Sequence, residues 1–157
     1  MKNYLFAPGP TPIPTETLLA MASPIDYHRA SESVELIGNV TAKLKYVFQT
    51  NNDVMILTSS GTGAMEAIIT NLLSSDDRVT VIRSGKFGER WGEICAAYGI
   101  QLDPINIEWG RSVDPQQVED QLNRYPETKA VLATLCETST GALHDIKTLG
   151  DIIQDSQ

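Results

Sequence analysis

Val54-Met55-Ile56-Leu57-Thr58-Ser59-Ser60-Gly61-Thr62-Gly63-Ala64-Met65-Glu66-Ala67 is the stretch that decides the fold class. Its first part is a short apolar run of strand length. Its second part is a glycine-punctuated turn that opens into a helical pattern. A strand handing over to a helix in this way is the repeating unit of α/β architecture. Glycines let the backbone approach a ligand closely, and the first N–H groups of the following helix have no internal acceptor. The helix dipole also favours an anion there, and Ser60 and Thr62 add hydroxyl donors. The loop fails the Walker pattern, because no Gly-Lys-Ser/Thr follows. It fails the dinucleotide fingerprint as well, because Glu66 stands where the third glycine belongs. On chemistry alone two readings stand side by side: a phosphate cradle, or a glycine turn ahead of a packed helix.

Downstream, the alternation continues. Residues 78–83, with Val79-Thr80-Val81-Ile82, read as a second strand after the one at 54–58. Residues 63–73 and 87–98 read as helices, the latter stopped by Gly99. Residues 101–107 and 130–135 are a third and a fourth strand. Pro115 after Asp114 opens a helix that runs to about 124, and a last helix begins near 147. Short apolar strands separated by helices predict a mainly parallel sheet with helices on both faces. Upstream, Val34, Ile37, Val40, Leu44 and Val47 recur at helical spacing and give residues 30–49 one apolar face. Asn51-Asn52-Asp53 ends that helix with turn chemistry. A short helix is expected near 16–22. Pro8, Pro10, Pro12 and Pro14 make residues 1–14 an extended arm. The final helix meets no following strand within the 157 residues, the pattern expected of a cut chain.

The formal net charge of −8 argues against a broad nucleic-acid surface, which needs clustered Lys and Arg. Two cysteines, Cys95 and Cys136, are too few for a disulfide framework, and their apolar neighbours predict buried free thiols. His28 and His144 show no zinc-type spacing to them, so no metal site is expected. No apolar run is long enough for a membrane span or a secretory leader, which predicts a cytoplasmic protein.

Two further segments fall at the C-terminal ends of predicted strands, where open α/β sheets bind ligands. In Ser84-Gly85-Lys86-Phe87-Gly88-Glu89-Arg90-Trp91, the Phe87 ring either stacks on a planar cofactor or packs at the helix start. Trp91, inside the helix, reads as core. In Glu137-Thr138-Ser139-Thr140-Gly141, the three hydroxyls either hold a ligand oxygen or bond their own turn. The coincidence of three such segments on one edge raises the functional reading above the structural one.

These segments, with Ala7-Pro8-Gly9-Pro10-Thr11 and Tyr46-Val47-Phe48-Gln49-Thr50, occur in an order that resembles class V, fold-type I aminotransferases. The resemblance is to the alanine–glyoxylate and serine–glyoxylate type, together with the cyanobacterial group called soluble hydrogenase small subunit. It spans essentially the whole chain. It implies pyridoxal 5′-phosphate (PLP) as cofactor. It places Ser60, Gly61 and Thr62 on the PLP phosphate, Phe87 on the pyridine ring and Thr138 on the ring's phenolic oxygen. Ala7 and Gly9 would border the substrate pocket. Residues 1–29 would be an N-terminal arm and short helix, and residues 30–157 an incomplete PLP-binding large domain. The implied reaction moves an amino group from a small amino acid, alanine or serine, to a 2-oxo acid such as glyoxylate or pyruvate.

The family also needs an aspartate for the pyridinium nitrogen, a lysine that holds the cofactor covalently, and an arginine for the substrate carboxylate. No residue of this chain matches these positions, and Lys147 and Asp151 lie before them. The 157 residues alone are therefore expected to be inactive. The resemblance further implies a homodimer, or association with a complementary or full-length chain. The alternative reading is a non-enzymatic phosphate- or PLP-binding module, or an interaction partner of a full-length aminotransferase.

Overall fold

The structure is a computed structural model that describes residues 4–156. The chain divides into two compact units, Met1–Leu57 and Thr58–Gln157.

The first unit contains two helices, α1 (Thr15–Met21) and α2 (Ser31–Phe48). The extended arm ahead of them runs into Pro14, which caps α1. Helix α2 ends on Gln49 in the left-handed region, φ 52°, and the Thr50 N–H reaches back to the Lys45 carbonyl at 3.0 Å. This is the Schellman closure, here built on a residue other than glycine. Lys45 then pairs with Asp53 at 3.1 Å and holds the turn. The apolar spacing forms the expected helix, but its face is not buried. Val34, Ile37 and Val47 are exposed, and Val40 and Leu44 are half-buried.

The strand expected at 54–58 does not form. Met55 is 83 % exposed, and Ile56 and Leu57 are exposed with it. A strand is held by its ladder of hydrogen bonds to a neighbour. Among the described residues the sheet's strands pair only with one another, so an apolar run without a ladder stays irregular.

The second unit is the α/β body. In chain order it runs α3 (Gly61–Leu72), β1 (Arg78–Arg83), α4 (Lys86–Ala97), β2 (Gln101–Asn106), α5 (Pro115–Arg124), β3 (Thr128–Leu132), β4 (Cys136–Glu137), β5 (Ala142–Leu143) and α6 (Ile146–Asp155). The three longer strands form a parallel sheet in the order β2-β1-β3. Strand β1 is central, and Val79, Thr80, Val81 and Ile82 are all buried. Alternation along β1 sends Val79 and Val81 into one core and Ile82 into the other. The first core joins Ile69 of α3 and Trp91 and Cys95 of α4 to Ile100 and Leu132. The second joins Ile105 and Val113 to Val118 and Leu122 of α5 and Leu149 of α6. Helices thus cover both faces, as the alternating pattern predicts, and Trp91 is core.

Several boundaries have local causes. Gly99, at φ +71°, closes α4 by letting the Ile100 N–H reach the Cys95 carbonyl at 3.0 Å. The Asp114 carboxylate caps α5 by accepting from the Gln116 N–H at 3.0 Å, with Pro115 in the first turn. The strand expected at 130–135 ends at Leu132. The chain then makes a short antiparallel hairpin, β4–β5, where the sequence pattern suggests a plain loop. That hairpin corrects the expectation for Cys136. Strand alternation turns Glu137 inward and leaves Cys136 exposed, while Cys95 is buried as expected.

Candidate active site

The sheet order creates a switch point. From β1 the chain crosses to β2 on one side, whereas β3 pairs on the other side of β1. Helix α4, which follows β1, packs in the first core, and α6, which follows β3, packs in the second. Connections that leave neighbouring strand ends toward opposite faces open a crevice at the C-terminal edge, the usual ligand position in such sheets. Residues 84–87 and the hairpin 136–143 stand at that edge.

The N-terminus of α3 meets this region. Ser60 is the N-cap residue, in extended conformation, and its hydroxyl makes no capping hydrogen bond. The first turn carries no acid, and among the described residues none of its N–H groups donates to a carboxylate. Gly61 is exposed, and a Cβ there would meet nothing within 4 Å. Gly63 is confined instead, since its Cβ would lie 1.9 Å from the Ser59 hydroxyl oxygen. Thr62 Oγ1 accepts a hydrogen bond from Arg90 Nη1 at 2.9 Å, which joins the start of α3 to the second turn of α4.

The N-terminus of α4 is filled by the protein itself. Glu137 is fully buried, and its Oε2 accepts from the backbone N–H groups of Phe87 at 3.0 Å and Gly88 at 2.9 Å. Its Oε1 accepts from the Ser139 hydroxyl at 2.6 Å. Ser139 Oγ in turn accepts from the Lys86 N–H at 3.0 Å. Burial works against the charged carboxylate. The hydrogen bonds from Ser139, Gly88 and Phe87 outweigh it and hold Glu137 below the usual glutamate range. Gly85 makes room for this arrangement, because a Cβ there would lie 2.4 Å from Glu137 Cγ. The result fixes the backbone of Phe87 while leaving its side chain 39 % exposed.

Below this cap lies a buried histidine. His144 Nδ1 accepts from the Val113 N–H at 3.1 Å, so the neutral ring carries its proton on Nε2 and donates it to Ser84 Oγ at 2.7 Å. Burial pushes the His144 pKa down, against the nearby negative charge of Glu137. The ring ties the end of β1, the segment before α5 and the exit of the hairpin into one assembly.

The structure brings Thr62, Phe87 and the 137–140 turn into one connected region, through the Arg90–Thr62 bond and the Glu137 cap. Ser60 and Gly61 lie at the same helix start as Thr62. Thr138 is exposed, and its hydroxyl makes no hydrogen bond among the described residues, whereas Ser139 and Thr140 bond within the turn and to β1's end. Ala7 and Gly9 lie on the exposed arm of the first unit. Sequence reasoning assigns no role to Glu137, Arg90 or His144. An acid set among hydroxyls after a buried strand is a visible signal. That it caps a helix some 50 positions earlier is a tertiary fact.

The sequence matches the family described as aminotransferase class-V over residues 3–157. The soluble hydrogenase small subunit of Synechococcus sp. (strain PCC 6716) is 44 % identical over 150 residues, which cover 94 % of this chain and 39 % of that protein. The serine–glyoxylate aminotransferase of Hyphomicrobium methylovorum is 35 % identical, covering 91 % of this chain and 36 % of its own length. Among solved structures, an aspartate aminotransferase of subgroup IV from Thermus thermophilus superposes with a TM-score of 0.91 at 33 % identity, covering 99 % of this chain and 43 % of that one. The chain belongs to the class V aminotransferase family. It spans about two-fifths of the length of the relatives it matches.

Proposed function

We propose that this chain carries the phosphate- and ring-contacting part of a PLP-dependent aminotransferase that moves an amino group from alanine or serine to glyoxylate or pyruvate. One observation carries the reading. Of two adjacent helix N-termini at the switch point, α4's is capped by a buried carboxylate and α3's is uncapped, beside an exposed aromatic side chain.

The residues present fit the cofactor. The uncapped first turn of α3, with the Ser60 and Thr62 hydroxyls and the open approach at Gly61, suits a phosphate monoester. Phe87 supplies a face for the pyridine ring, and the free Thr138 hydroxyl suits its phenolic oxygen. When bound, PLP supplies an electron sink that weakens bonds to the α-carbon of the amino acid. Ser60, Gly61 and Thr62 would hold the phosphate and so set the cofactor's depth. Phe87, kept in place by Glu137 and Ser139, would set the plane of the ring. Ala7 and Gly9 would border the substrate. On this reading residues 1–29 are the arm and short helix, and 30–157 belong to the PLP-binding large domain. Cys95 and Cys136 are unpaired, which suits the cytoplasm.

Because no residue of the 157 matches the cofactor-holding lysine, we propose that they bind PLP reversibly and do not turn over by themselves. A titration with PLP and with pyridoxal, followed by borohydride and an intact-mass spectrum, tests both halves. The expected outcome is reversible binding, tighter for PLP, with no stoichiometric lysine adduct. A stoichiometric adduct would overturn the claim of inactivity. Equal affinity for the two compounds would remove the phosphate from α3.

A further inference from the structure

We infer that Arg90 is a positioning residue for the cofactor phosphate, acting through Thr62 and fixing the distance between the phosphate and ring contacts. The inference rests on the reading under Proposed function.

The geometry is specific. Arg90 is half-buried, and its guanidinium donates to Thr62 Oγ1 at 2.9 Å. With that oxygen already accepting from Arg90, the Thr62 hydroxyl hydrogen is left to donate to an anion. Arg90 also stands three residues after Phe87 on α4, so the two lie on one helix face. A single side chain therefore connects the element that presents the ring contact to the helix start that presents the phosphate contacts.

The electrostatics point the same way. Among the described residues Arg90 has no carboxylate within ion-pair distance, although the chain carries eight more acidic than basic side chains. Its neighbours on the helix behave differently, Lys86 being paired with Glu89 at 2.6 Å. Arg90 instead faces the positive end of α3, whose first turn holds no acid. Two positive groups set together without a counter-charge repel each other. A phosphate dianion at the start of α3 converts that repulsion into attraction on both sides. Inorganic phosphate shares this chemistry with a phosphate ester, and the pyridine ring separates the two.

Equilibrium dialysis of the 157-residue chain against PLP, pyridoxal and inorganic phosphate tests the inference. Wild type, Arg90→Met, Arg90→Lys, Thr62→Val and the double variant Arg90→Met/Thr62→Val are compared, each with a urea unfolding curve. Arg90→Met is expected to weaken PLP binding about tenfold and to leave pyridoxal binding unchanged. Arg90→Lys keeps the charge but loses the planar fork, and is expected to fall between wild type and Arg90→Met. The double variant is expected to lose no more than the weaker-binding single variant, because the two residues act as one unit. Free phosphate is expected to bind more weakly than PLP and to show the same dependence on Arg90. Unchanged PLP-to-pyridoxal preference in Arg90→Met overturns the inference. If that variant does not fold, wild-type preference in both Arg90→Lys and Thr62→Val does so instead. Absence of any PLP preference in wild type is a separate result, which defeats the phosphate site itself.

Discussion

Glu137 shows how one buried charge organises a site it does not enter. Three close donors converge on its carboxylate, and two of them are N–H groups in the first turn of α4. Glu137→Gln removes the charge and turns an amide N–H₂ toward those donors. It is expected to destabilise the second unit by about 2 kcal/mol, seen as a lower urea midpoint at neutral pH. The pH dependence follows from Glu137 and His144, whose folded pKa values both lie below their ordinary ones. In each case the unfolded chain holds a proton that the folded one does not, so stability falls as pH falls. The His144 contribution is complete above about pH 6.5 and declines below it. The Glu137 contribution is complete above about pH 4.3 and is lost on further acidification. Urea midpoints measured across this range should fall in two stages, with the lower stage reduced in Glu137→Gln to the share that Asp145 and Glu32 retain. A midpoint that rises on acidification would contradict the assignment.

Helix α4 is the element that the sheet holds most closely. Gly88 and Gly92 face β1, where a Cβ at Gly88 would lie 2.5 Å from the Ile82 carbonyl oxygen and one at Gly92 would lie 2.3 Å from Arg83 Nη2. The Arg83 side chain can yield, whereas the strand carbonyl cannot. Gly88→Ala should therefore lift the start of α4 and cost roughly 1–3 kcal/mol, even though alanine is the better helix former. Thermal unfolding of Gly88→Ala beside an unhindered control, Gly150→Ala, where a Cβ would meet nothing within 4 Å, would separate the packing clash from propensity. A raised melting temperature for Gly88→Ala would show that the close approach does not constrain the helix. The same lift would displace Phe87 and Arg90, so PLP affinity should fall with stability.

At the scale of the molecule, the two units differ in what they bury. No residue of α1 or α2 is buried, and Val34, Leu36, Ile37, Tyr46, Val47 and Phe48 are exposed on or near one long helix. Exposed apolar side chains gathered on one helix favour association. We propose that another chain of the family covers it, as a homodimer or with a complementary or full-length partner. Ile37→Ser should then change the stability of the isolated chain by less than about 0.5 kcal/mol, because the side chain is already in water. It should also lower the sedimentation-average mass at a given concentration. An unchanged mass distribution would show that this face is not the contact.

The sequence by itself determined the class of the fold. Short apolar runs, a period-3.6 pattern, Pro115 behind Asp114, and Gly99 are local signals, and the helices and the strands at 78 and 101 stand within a few residues of where those signals place them. It also determined the family, through segments whose order and composition survive without any coordinates. The tertiary structure decided whatever depends on a partner distant along the chain. The apolar run at 54–57 looks like a strand, but strand formation requires a ladder, and no described residue supplies one. Cys136 looks buried from its neighbours, but the hairpin's alternation turns it outward. Glu137, Arg90 and His144 carry no distinctive local pattern, because each acts on a group between 28 and 60 positions away. Local propensity acts through near neighbours on the chain, whereas a buried charge is stabilised by whichever donors the completed fold sets around it.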